Sequence, residues 1–114
     1  MRRIRITVLR KAFYPDIARL YLTDGEDAAC DAFEEGDVFY YDGQARMPEG
    51  FCPWAWLDIG HSAGALLQGA SCVPWQNRDG RNICCCTDGV RPVSFLLEAV
   101  EERDFGGVRM ASAK

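Results

Sequence analysis

Near the start of the chain, apolar and polar positions alternate. Ile4, Ile6 and Val8 fall between Arg3, Arg5 and Thr7, and this period of two predicts a half-buried strand over residues 3–10. Its basic side chains read as the solvated face of an edge strand. Tyr14-Pro15 ends the alternation, and Pro15 suits the first position of a short helix. Ile17, Leu20 and Tyr21 give that helix an apolar stripe, and Thr23-Asp24-Gly25 stops it. The acidic stretch at 26–31 is a loop carrying Cys30. Residues 37–41 read as a second strand, and Asp42-Gly43 is a turn signal opening onto a further strand at residues 44–47.

Beyond Met47-Pro48-Glu49-Gly50 the period lengthens. Pro53 can sit in the first turn of a helix running to about Gln68, with Gly69 as its stop. Gly60 and Gly64, four apart inside it, would form a smooth strip for close packing by another element. Residues 70–80 are rich in turn formers and hold Cys72 and Trp75. A hairpin is expected next, from Asn82 to Cys86, around Thr87-Asp88-Gly89, and from Val90 to Val100. Val93, Phe95, Leu97 and Ala99 are its core face, and Pro92 places the start of that strand at an edge or a bulge. Residues 104–114 read as a flexible tail, leaving a single domain over residues 1–103. The pattern as a whole predicts an α+β fold, a small single-layer or barrel-like, mostly antiparallel sheet packed against two helices.

Composition narrows the functional classes. The chain has 114 residues, 48% of them apolar and 26% charged, with a formal net charge of -4. That is enough to bury a modest core without cross-links, and it is not the composition of a disordered chain. The local cluster of Arg2, Arg3, Arg5, Arg10 and Lys11 is interrupted by strand-forming residues, which argues against a nucleic-acid partner. No apolar run is long enough to cross a bilayer, and the basic N-terminus lacks the apolar stretch and cleavage site of a signal peptide. A cytoplasmic protein without a membrane partner is the expectation.

Six cysteines are many for this length. In a reducing compartment, clustered cysteines point to metal binding or thiol chemistry rather than to disulfides, and three in a row make a poor disulfide framework. Cys52 precedes Pro53 and the expected helix, which puts its sulfur near a helix N-terminus. There, unpaired N–H groups and the helix dipole favour the thiolate that attacks electrophiles or binds metals. The plainer reading of Cys52 is a small hydrophobe packed between Phe51 and Trp54. In Cys84-Cys85-Cys86, alternation sends Cys84 and Cys86 to one face and Cys85 to the other. Cys30 lies among carboxylates that oppose its ionisation unless a metal is present. No C-x-x-C pair exists and the only histidine, His61, is in mid-helix, so a zinc-finger pattern is absent.

A site could still be assembled in space from Cys30, Cys52, Cys85 and Cys86, and the pattern does not separate zinc from iron–sulfur ligation. Trp54, Asp58 and His61 share a helix face, where Asp58 and His61 could orient each other or simply be solvated. Asp88 most simply serves its turn, and Arg91 could pair with it or offer an anion site.

Two longer motifs, Met47-Pro48-Glu49-Gly50-Phe51-Cys52-Pro53-Trp54-Ala55-Trp56 with Asp58-Ile59, and Cys85-Cys86-Thr87-Asp88-Gly89-Val90-Arg91-Pro92-Val93, resemble a family of short bacterial and archaeal proteins, frequent in anaerobes, with no established activity. A third element of its pattern, a cysteine ahead of Phe-x-x-Gly-x-x-Phe, is matched by Cys30, Phe33, Gly36 and Phe39. The resemblance reaches to about Val100. It implies that Cys30, Cys52, Cys85 and Cys86 belong to the family pattern, while Cys72, Cys84 and His61 are additions in this chain.

Three functions compete on these grounds. The favoured one is an accessory protein whose cysteine-centred site binds a metal or iron–sulfur species. The second is a thiol enzyme or redox switch with Cys52 as its reactive sulfur. The third is a binding module for a small molecule or protein, in which Trp54, Trp56 and Trp75 line a pocket and the cysteines are structural.

Overall fold

The computed structural model describes residues 2–26, 28–44 and 46–101. Four strands form one open antiparallel sheet: β1 (Arg2–Lys11), β2 (Val38–Tyr41), β3 (Arg81–Cys85) and β4 (Val93–Glu101). Their order across the sheet is β2-β1-β4-β3. The fold is α+β as expected, and the sheet is an open layer rather than a barrel. β1 is not an edge strand. It lies between β2 and β4, pairing Ile6 with Phe39 on one side and with Leu97 on the other. The ladder from β1 to β4 shifts register between Val8 and Arg10, so Leu9 is an extra residue at a bulge.

The alternation of β1 holds in three dimensions. Ile4, Ile6 and Val8 are fully buried, as are Val93, Phe95 and Leu97 of β4. On this face lies α2 (Pro53–Leu67), which buries Ala55, Ile59, Ala63 and Leu66. Pro53 stands at its first turn and Cys52 is its N-cap. The chain leaves the helix through Gly69, whose φ of +98° only glycine adopts without strain. Between sheet and helix is a cluster of rings: Phe33, Phe39, Phe51 and Phe95 meet mostly edge to face, with centroids 4.9–5.8 Å apart.

Three expectations fail on packing. The helix α1 (Pro15–Tyr21) forms where Pro15 places it, but only Ala18 is buried, and Leu20 and Tyr21 are 75% and 79% exposed. Its apolar stripe therefore faces solvent rather than the core. Gly60 and Gly64 are not a packing strip either. A Cβ at Gly60 would meet Trp56 of the same helix, and one at Gly64 would meet nothing within 4 Å. The strand expected at residues 44–47 is absent among the described residues. Instead Asp42 Oδ1 accepts the N–H of Gln44, closing a side-chain turn. At Gly43 a Cβ would stand 2.6 Å from Leu67, so the turn passes too close to α2 for a side chain. The expected tail, residues 104–114, lies outside the described residues.

Candidate functional site

Three segments distant in sequence meet at one end of the helix–sheet sandwich. The loop after α1 contributes Cys30 and Phe33, the start of α2 contributes Cys52, Trp54 and Ala55, and the β3–β4 connection contributes Cys86, Asp88, Arg91 and Val93. Together they line a mainly apolar cleft of about 310 Å³, near the lower end of the range for small-molecule sites.

Local bonds explain how each wall is held. The Cys30–Phe33 loop is tied to β1 by Lys11, whose Nζ donates to Phe33 O at 2.9 Å and whose N–H donates to Glu35 Oε2 at 2.9 Å. Ala32 N–H donates to Cys30 Sγ at 3.4 Å. At the opposite wall, Cys86 and Val93 extend the β3–β4 ladder: Cys86 N–H donates to Val93 O at 3.1 Å, and Val93 N–H donates to Cys86 Sγ at 3.3 Å. Cys86 is buried.

The turn between them is built on Asp88. Its Oδ1 accepts the N–H groups of Val90 and Arg91 at 2.9 and 2.8 Å, and Arg91 Nε lies 3.4 Å from Asp88 Oδ2. Burial alone would raise the Asp88 carboxyl pKa. The two N–H donors and the Arg91 charge outweigh burial and hold it below the ordinary value. Arg91 Nη1 also reaches Glu26 Oε1 at 3.2 Å, so the guanidinium joins the turn to the loop after α1.

The third wall is the start of α2. Cys52 O accepts the N–H of Trp56 at 2.9 Å, which makes Cys52 the N-cap as expected. The helix has no side-chain cap and no carboxylate in its first turn, so its positive end is not neutralised from its own side chains. Cys52 is half-buried, and Trp54 stands 63% exposed at the rim.

The remaining site candidates are placed elsewhere. Cys85 is exposed on the far face of the sheet, opposite Ser94, so it does not join Cys30, Cys52 and Cys86. Among the described residues, no group of three or more His, Cys, Asp or Glu side chains could hold a metal ion. Cys84 faces the helix, and burial pushes its thiol pKa up, partly opposed by a hydrogen bond with Ser62. It is outside the cleft. Asp58 does not orient His61, which is exposed. Its Oδ2 accepts both the N–H and the hydroxyl of Thr87, at 2.8 and 3.1 Å, and so pins the β3–β4 connection to α2. Trp56 packs on Tyr41 and Phe51, and Trp75 is 71% exposed. Of the three tryptophans only Trp54 lines the cleft. Sequence reasoning missed Phe33, Ala55 and Val93 as its walls, because an apolar side chain carries no chemical signal in one dimension.

No helix among the described residues is long and apolar enough to cross a membrane. No family model, curated protein or solved structure matches the chain.

Proposed function

We propose that the cleft is a thiol site that takes up a small, largely apolar electrophile and engages it through Cys52. The observation behind this reading is the convergence of Cys30, Cys52 and Cys86 on one apolar cleft from three distant segments. Each of the three sequence elements carrying the family resemblance contributes a wall. Cys52 is the reactive member on position: it is the N-cap of α2, half-buried at the cleft, and its side chain makes no capping hydrogen bond. Cys86 is buried with its sulfur held by a backbone N–H, and Cys30 accepts one as well. In the step proposed, the Cys52 thiol gives its proton to solvent and the sulfur adds to an electrophilic carbon. The displaced π pair of that carbon then takes up a proton from water.

The same convergence could serve a soft metal only if the three sulfurs closed in further and a fourth ligand were recruited, since Cys85 is on the other face. The thiol reading therefore comes first. N-ethylmaleimide labelling of the folded, reduced protein, mapped by mass spectrometry, tests it. Cys52 should be modified faster than Cys30 and Cys86, and faster than in the urea-unfolded chain. A Cys52 rate no higher than that of the unfolded chain would end the reading. So would stoichiometric zinc or iron in anaerobically purified protein that disappears on Cys52→Ala.

A further inference from the structure

A second cleft, of about 290 Å³, lies at the β3 side of the sheet, and its lining is mostly polar: Arg5, Arg78, Asp79, Arg81 and Glu98 with the backbone around Gly80. The register makes this a row across the sheet. Glu98 of β4 faces Arg5 of β1 on one side and Arg81 of β3 on the other. Alternation puts these three on the face opposite the core, so the cleft is separate from the thiol site.

Both carboxylates are already engaged. Glu98 Oε1 accepts from Arg5 Nη2 and Nε at 3.0 and 3.3 Å, and Asp79 accepts the Ser71 hydroxyl. The cationic donors are in excess. Arg81 uses Nη2 on Asn77 Oδ1 at 3.2 Å, but its Nε is buried without a hydrogen-bond partner among the described residues. Arg3, one row along and paired with Val100 of the cleft wall, likewise has Nε and Nη1 buried without partners among the described residues, but it does not itself line the cleft. Arg78 is exposed at the cleft edge. Buried guanidinium N–H groups are costly to leave unmade, and their planar fork matches the oxygens of phosphate and carboxylate.

We infer that this cleft binds a compact oxyanion, a phosphate or carboxylate group, with Arg81 and Arg78 as its principal donors and Arg5 held beside them by Glu98. The carboxylates set the selectivity. They leave room for one anionic group and repel extended polyanions, which fits a chain of net charge -4.

Calorimetric titration of the full chain at low salt, with inorganic phosphate and separately with succinate, decides the matter. Saturable binding of either at one site per chain is expected, and the arm that saturates identifies the group. Arg81→Gln should weaken it about tenfold or more, the loss expected for a charge-assisted hydrogen bond. Arg81→Lys should recover part of it, and Arg19→Gln, in α1, should change nothing. Near-ultraviolet circular dichroism checks that each variant is folded. If Arg81→Gln does not fold, Arg78→Gln, at the exposed edge, replaces it and should weaken binding severalfold. The inference is overturned if neither anion saturates, or if a folded Arg81→Gln or Arg78→Gln binds as well as the parent. An equal loss in Arg19→Gln overturns it too. None of these results bears on Cys52.

Discussion

Asp58 joins two elements through one carboxylate, accepting the N–H and the hydroxyl of Thr87. Asp58→Ala leaves both donors unpaired near the surface. It should cost about 1–2 kcal/mol in urea denaturation and slow maleimide addition at Cys52 by loosening the cleft. Asp88 makes a pH-dependent contribution. Its carboxyl pKa in the folded chain is below the ordinary value of 3.8, so the stability it adds is fully present above that value. It is lost as pH falls through the folded pKa. Asp88→Asn should therefore cost about 1 kcal/mol at neutral pH and flatten the fall in melting temperature as pH drops below about 4. At this scale the sequence was partly legible. The N-cap place of Cys52, the alternation within Cys84-Cys85-Cys86 and the turn role of Asp88 all follow from local rules. That Asp58 would choose Thr87 over His61 does not, because Thr87 reaches it only through tertiary packing.

Periodicity marked most of the elements because burial has the same period as the backbone. β1, β2, α2 and the β3–β4 hairpin lie where alternation, Pro53 and Asp88-Gly89 put them. α1 shows where that reasoning stops. Its stripe of Ile17, Leu20 and Tyr21 is amphipathic in sequence, yet seven residues cover too little surface to compel docking. Leu20→Ser and Tyr21→Ser should each change stability by less than about 0.5 kcal/mol in thermal melts. The contrast is Phe51, whose ring meets Phe33, Phe39, Phe95 and Trp56. Phe51→Ala should cost about 3–5 kcal/mol. That is a large share of the roughly 5–15 kcal/mol a domain of this size holds, and urea titration would register it as a much lower midpoint.

The cleft belongs to the whole molecule, since none of its three walls closes it alone. The loop after α1 is held through Lys11, the β3–β4 connection through Thr87 and Arg91, and the helix through the ring cluster. The strand order decides whether these walls can meet. β1, first in the chain, has β4, last of the strands, as its neighbour, and their partners stand nearly the whole described chain apart. This arrangement has a kinetic consequence. Contacts of such long sequence separation are slow to form, and during synthesis β1 and α2 must wait for β4 before the sheet can close. Until then Cys30 and Cys52 are ordinary chain thiols in water, with no Val93 wall against them. Refolding should therefore be slow and sensitive to oxidant early on, with yields rescued by added dithiothreitol.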